Sequence, residues 1–345
     1  MNKIKSIKKT WQEIKLNIEQ HPYNTWIDLV SRRLGGQALD CSDDFFAEME
    51  NLLKPDAPVF IFDKYTDRGK WMDGWESRRK RVVGYDWCII KLGAQGIVHG
   101  VNVCTRHFAG NAPQKVSIEA CSIQGAPLAG TNWVTILETT DVKPDSDNFF
   151  DIESSSEWTH VRLNIFPDGG VARLRVYGEP SINWDWFLPN EPIDLAYIKN
   201  GARPLACSDM FFSSMENLIM PDRGKNMGDG WETKRRRGGR ECDWIIIKLG
   251  AVGSIEKVVV DTAHFKGNFP DSFTLEAVLL EAGQSPDDTT QWQTVINQTK
   301  LSADAEHFYK DEVVSAGQHF SHIRLNMYPD GGISRLRVIG YPQRG

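Results

Sequence analysis

The most distinctive strings in this 345-residue chain occur twice, in the same order. Cys41-Ser42-Asp43, followed by Phe45-Phe46, returns as Cys207-Ser208-Asp209 with Phe211-Phe212, and Met49-Glu50-Asn51-Leu52 returns from Met215. Asp73-Gly74-Trp75-Glu76 returns as Asp229-Gly230-Trp231-Glu232. His107-Phe108-x-Gly110-Asn111 returns as His264-Phe265-x-Gly267-Asn268. The segment from His160 to Gly178, with Pro167-Asp168-Gly169-Gly170 inside it, returns from His322 to Gly340. A shared order of unrelated motifs is the mark of an internal duplication. Whatever fold the chain takes, it takes it twice.

Each copy reads as strands. Asp86-Trp87-Cys88-Ile89-Ile90-Lys91-Leu92 and its counterpart from Asp243 to Leu249 are apolar runs of strand length that stop at a Gly. Ser117–Cys121 and Arg173–Tyr177 alternate apolar and polar residues, as half-buried strands do. Pro-Asp-Gly-Gly supplies turns in which Gly accepts positive φ. The expectation is an all-β protein of two tandem jelly-roll-like β-sandwich modules. Its parts are an N-terminal extension over 1–27 with a helix at Lys8–Glu19, a first module over 28–180, an aromatic linker over 181–200 and a second module over 201–345.

Composition narrows the function classes. A formal charge of -6 argues against a nucleic-acid partner. No stretch approaches the roughly 20 apolar residues of a membrane span, and no apolar run follows the basic N-terminus to make a secretory signal. The six cysteines show no close pairing and sit in or beside apolar runs, which points to reduced thiols and a cytoplasmic setting. The one close histidine pair, His319 and His322, has no repeated partner, so no dedicated metal site and no cofactor are expected, while divalent-metal dependence stays open. Phosphate loops and nucleophile elbows are absent from the sequence.

Four recurring features place polar groups where a sandwich has loops: Asp-Gly-Trp-Glu with its basic run, His-Phe-x-Gly-Asn, His-x-Arg-Leu-Asn and Pro-Asp-Gly-Gly-x-x-Arg. Asp73 and Glu76, with Asp229 and Glu232, could bring carboxylates to one pocket for acid or base work; alternatively Asp73 shapes a turn and Trp75 is core. His107 and His264 follow strands and precede a Gly-Asn turn, which suits an imidazole at a loop mouth or one bonded to backbone. The run Arg78-Arg79-Lys80-Arg81, matched by Lys234-Arg235-Arg236-Arg237, is either a solvated strand edge or an anion-binding wall. Arg162, Arg173 and Arg175, like Arg324, Arg335 and Arg337, alternate along strands and could fork onto a carboxylate.

Ser31-Arg32-Arg33-Leu34-Gly35-Gly36, the run Arg68 to Arg79, the paired His-Phe-x-Gly-Asn strings and the doubled Arg-Leu-Asn-x-x-Pro-Asp-Gly-Gly together resemble the allantoicase family, from about Asp28 to Gly340. The resemblance implies modules of the galactose-binding-domain-like kind and hydrolysis of allantoate to ureidoglycolate and urea, a cleavage of a carbon–nitrogen bond in a linear ureido compound. Read against that substrate, Glu76 or Glu232 would activate water, and His107 or His264 would protonate the leaving urea. Asp73, Arg78, Asn111 and Arg173, with Asp229, Asn268 and Arg335, would bind the substrate. A homo-oligomer is expected. Copy one departs from the family pattern at Cys104, where copy two has Asp261, at Ala112, and in an insertion from Ala57 to Thr66. The rival reading is a double jelly roll that binds a small ligand or sugar without catalysis.

Overall fold

The computed structural model describes Tyr23, residues 26–238 and residues 241–344. The helix expected over Lys8–Glu19 lies outside these residues. Among the described residues there is no α-helix; strands and short 3-10 turns make up the regular structure. Two compact units result, divided between Ser181 and Ile182.

In the first unit one strand, Asp86–Cys104, organises everything. Its first half pairs antiparallel with Gln37–Cys41 and Glu157–Phe166, and beyond the latter lie Lys115–Cys121 and Val134–Asp141. Its second half pairs with Asp147–Asp151 and Arg173–Pro180, and the latter carries Ile27–Asp28 at its far edge. The same strand thus serves both layers of a sandwich. Ile90, Ile118 and Leu163 from one layer, and Val101, Val103 and Val176 from the other, are fully buried. Each such burial stabilises the fold by roughly 1.5–3 kcal/mol. The sequence expectation ended this strand at Leu92, because a Gly follows. Gly93 and Gly96 instead mark close approach: a Cβ there would strike Leu34 and the Glu179 carbonyl, respectively.

The second unit repeats the pattern around Asp243–Asp261, paired with Arg203–Cys207, His319–Tyr328, Glu306–Tyr309 and Arg335–Pro342. Ile193–Asp194, within the expected linker, is a strand of this unit's sheet on Arg335–Pro342, the counterpart of Ile27–Asp28.

These two short edge strands carry a matched pair of carboxylates. Asp28 Oδ1 accepts from the Val30 and Val176 amides, and Asp194 Oδ1 from those of Ala196 and Val338. Burial dominates the opposing pull of Arg175 and Arg337 and pushes both carboxyls up to about 6. A folded-state value above the unfolded one means that the native state takes up protons, so stability rises as pH falls from about 7 toward 4. Asp28→Asn and Asp194→Asn should each leave stability at pH 7.5 equal or higher, and should flatten its pH dependence between 4 and 7. Denaturant melts across that range check this. A wild-type slope in both variants would contradict the assignment.

Candidate active site

Three of the recurring motifs fold into one assembly. The short strand Trp75–Glu76 pairs with Gly170–Val171 on one side and bridges to Ala47 on the other. Trp75 is completely buried, and its indole donates to the Asp43 carbonyl at 2.9 Å. Asn51 of Met-Glu-Asn-Leu donates to the Gly74 carbonyl at 2.9 Å. Phe108 is packed into this junction. A Cβ on Gly170 would sit 2.0 Å from its ring, and one on Gly74 would strike the Val171 carbonyl at 2.6 Å and the ring at 2.8 Å, so both positions require glycine. The Gly170 amide then donates to the Asn111 carbonyl at 2.8 Å. His-Phe-x-Gly-Asn, Asp-Gly-Trp-Glu and Pro-Asp-Gly-Gly are therefore three faces of a single corner.

That corner delivers two polar side chains to one place. Asn111 Nδ2 donates to Glu76 Oε1 at 2.7 Å. The pair lies on a cavity of about 650 Å³ that Arg79 and Asp168 also line, within the roughly 300–1,000 Å³ range of small-molecule sites. Burial pushes the Glu76 carboxyl above the ordinary glutamate range, and the Asn111 hydrogen bond offsets part of this.

The basic run is threaded through the site by carboxylates from distant loops. Asp43 accepts from the Arg78 amide at 2.5 Å and from its guanidinium at 2.9 Å. Two residues on, Asp168 Oδ2 accepts from the Lys80 amide at 2.7 Å, and the Lys80 ammonium reaches Asp86 at 2.6 Å. Arg79, between them, has no ion-pair partner among the described residues. The second unit repeats these contacts. Asn268 Nδ2 donates to Glu232 Oε1 at 2.5 Å, Asp209 holds the Lys234 amide, and Asp330 holds that of Arg236.

Comparison with known proteins matches this doubled corner to a family. A sequence model described as the allantoicase repeat matches residues 27–181 and again 193–343. This chain belongs to the allantoicase family. A probable allantoicase from Photobacterium profundum is 47% identical over 333 residues, covering 95% of this chain and 99% of that protein. One from Acinetobacter baumannii is 48% identical over 320 residues, covering 92% and 94%. The crystal structure of allantoicase from Saccharomyces cerevisiae superposes with a TM-score of 0.77 at 39% identity, covering 96% of this chain and 98% of that one. A further allantoicase structure superposes at 0.79 with 38% identity and the same coverage.

Not every residue that the allantoicase resemblance pointed to faces the cavity. Asp73 and Arg173 form a buried ion pair at 2.6 Å, 6% and 3% exposed. Arg173 also donates to the Asp73, Ala172 and Asp56 carbonyls, while Asp73 accepts from Lys54 at 2.8 Å and from the Val59 amide at 3.1 Å. These contacts of the pair all tie loops together within the protein. Asp229 and Arg335 repeat the arrangement at 3.2 Å. Arg162 and Arg324 are likewise engaged, by Glu119 and Glu276.

The histidines are also anchors. His107 and His264 both adopt φ near 70°, and their amides donate to Asp145 and Asp304 at 2.7 Å. His107 Nε2 meets the Pro58 carbonyl at 3.0 Å, and His264 Nε2 meets that of Gly224 at 2.8 Å. A carbonyl can only accept, so each ring donates from Nε2 and pins the loop before Asp-Gly-Trp-Glu. In the first unit that loop is the Ala57–Thr66 insertion, and Phe60 stacks on His107 with centroids 5.9 Å apart. His107 does not line the cavity around Glu76.

The two units differ under the site. Asp261 is 3% exposed and pairs with Arg223 at 2.8 Å. Its counterpart Cys104 lies in an apolar cluster with Met72, Phe108 and Ala172, where burial pushes the thiol up to about 12. Among the described residues no group of three or more His, Cys, Asp or Glu side chains is placed to hold a metal ion.

Arg79 was within reach of the sequence. Positions 79 and 81 keep Arg in both copies, whereas 78 and 80 exchange Arg and Lys. A position that insists on a planar fork differs from one that needs only a charge.

Proposed function

We propose that the cavity of the first module hydrolyses allantoate to ureidoglycolate and urea, with Glu76 as its acid and base. The observation that carries this reading is the Glu76 carboxyl, raised by burial and oriented by Asn111, on a cavity that Arg79 also lines. Allantoate bears a carboxylate and two ureido groups on one carbon. Arg79 suits the carboxylate through a charge-assisted pair. Asn111 keeps one N–H and its carbonyl lone pairs for a ureido group. Protonated Glu76 gives its proton to the departing ureido nitrogen as that carbon–nitrogen bond breaks. The lone pair of the other ureido nitrogen forms the C=N bond of a cationic intermediate. Neutral urea leaves. Water then adds to the central carbon and returns a proton to the Glu76 carboxylate, so that atoms and charge balance and the carboxyl is restored. The histidines take no part in this scheme.

Incubating the purified chain with allantoate and assaying urea tests the activity. No urea above background, with or without added divalent metal, would favour the sugar- or ligand-binding alternative. In the same assay Arg79→Gln should raise KM about 10- to 100-fold, the loss of one charge-assisted contact. Arg78→Gln should move KM less than about threefold, because Asp43 already holds that side chain. Equal effects of the two variants would contradict the roles given to them. Six free thiols support a cytoplasmic setting, and the exposed Phe62 and Tyr65 of the insertion support a homo-oligomer.

A further inference from the structure

We infer that Gly110, with Gly267 as its counterpart, is a specificity-determining residue that keeps one wall of the cavity bare so that a planar ureido group can lie against the backbone beside Asn111. The inference rests on the reading of the Glu76 cavity as the allantoate site.

The glycines around this corner fall into two kinds. Gly170 is required by the fold because a Cβ would strike Phe108, Gly74 because one would strike the Val171 backbone and Phe108, and Gly169 because its φ is 134°. Gly110 answers to neither demand. It is not among the positive-φ residues, and a Cβ built on it meets nothing within 4 Å. Gly267 is the same on both counts. Glycine at a position that any residue could occupy gives up stability, since alanine there would restrict the unfolded chain without straining the native one. Yet both copies hold it.

Gly110 lines the cavity together with its neighbours Ala109 and Asn111, and a Cβ on it would face open space. A side chain at 110 would therefore meet no other part of the protein and would compete with an occupant of the cavity for space at its lining. The neighbouring groups say which part of the occupant lies there. Asn111 offers an amide donor and acceptor, the complement of a urea-type N–H and C=O, and a flat group stacks best on a peptide plane with no Cβ. Gly110 thus fixes how thick a substituent may sit beside Asn111, favouring planar ureido arms over tetrahedral ones.

The test is the double variant Gly110→Ala/Gly267→Ala, so that the outcome does not depend on which module carries turnover, followed by Gly110→Val/Gly267→Val. The alanine pair should leave Tm unchanged or raise it by roughly 1–3 °C. It should raise KM for allantoate at least tenfold with kcat within threefold, and the valine pair should raise KM further. An alanine pair with wild-type KM overturns the inference. So does one whose Tm falls by several degrees, because the glycines would then be structural. Glu76→Gln run alongside separates the two levels: if it retains wild-type turnover the site reading itself fails, whereas an inactive Glu76→Gln beside a wild-type alanine pair removes only the role of Gly110.

Discussion

Glu76→Gln should lower kcat for urea release from allantoate by about 10²–10⁴, the usual contribution of a positioned acid–base group, with KM changed far less. The substitution keeps the shape and lets the side chain still accept from Asn111, whose present hydrogen bond is 2.7 Å long. What it removes is the transferable proton. The sign of the pH dependence follows from the order of steps. Protonated Glu76 starts the cycle, so kcat/KM should hold below its pKa and fall as pH rises through it. Burial moves that limb upward from the ordinary glutamate range, toward neutrality. Glu76→Gln should lose the limb along with the rate. Glu232→Gln provides the internal comparison, because Asn268 holds it in the same way. A Glu76→Gln enzyme that kept half of its activity, and lost the rest only with Glu232→Gln, would move the chemistry into both modules. A double variant at wild-type turnover would end the assignment.

The second large effect falls on stability. Arg173→Met should destabilise the protein by roughly 3–5 kcal/mol, the usual consequence of removing one partner from a buried ion pair. Asp73 would be left 6% exposed with only Lys54 and one amide to balance it. Thermal or denaturant melting reads this directly, and any folded enzyme should show near-normal KM. A variant that melts like wild type but binds allantoate poorly would return Arg173 to the substrate. The acid limb supplies a second check. Burial alone would raise the Asp73 carboxyl, but hydrogen bonds from Arg173, Lys54 and Val59 outweigh it and hold the group at about 2. Its stabilising contribution is complete above the unfolded value near 4 and is lost as pH falls through about 2. Arg173→Met should lack much of that acid-side loss.

The local part of this structure was legible. Alternation, apolar runs and Pro-Asp-Gly-Gly turns point to short strands, the repeated strings to two modules, and Asp-Gly-Trp-Glu with His-Phe-x-Gly-Asn to the groups that meet at Glu76. What could not be read depends on contacts far apart in sequence. Whether Arg78 or Arg79 faces the cavity is decided by Asp43, 35 residues earlier, which captures the first of them. His107 looks catalytic from its neighbours, yet its ring belongs to Pro58, 49 residues back. Arg173 alternates as an exposed strand residue should, but Asp73 lies 100 residues away and draws it inward. The same applies to the Gly after Leu92, a strand ending by local rules and a close approach in three dimensions.

The 19-residue strands Asp86–Cys104 and Asp243–Asp261 have a consequence for how such a protein arises and holds together. Each runs through both layers of its unit, so the two layers are joined by continuous backbone and not by side-chain packing alone. Opening is then a single cooperative event for each module, with the amides of both sheets sharing one protection against exchange. The same continuity acts on inheritance. A recombination break midway along that strand parts the two layers and leaves each without the face it packs against. A unit held together in this way is best passed on whole, as the two complete repeats of this chain are.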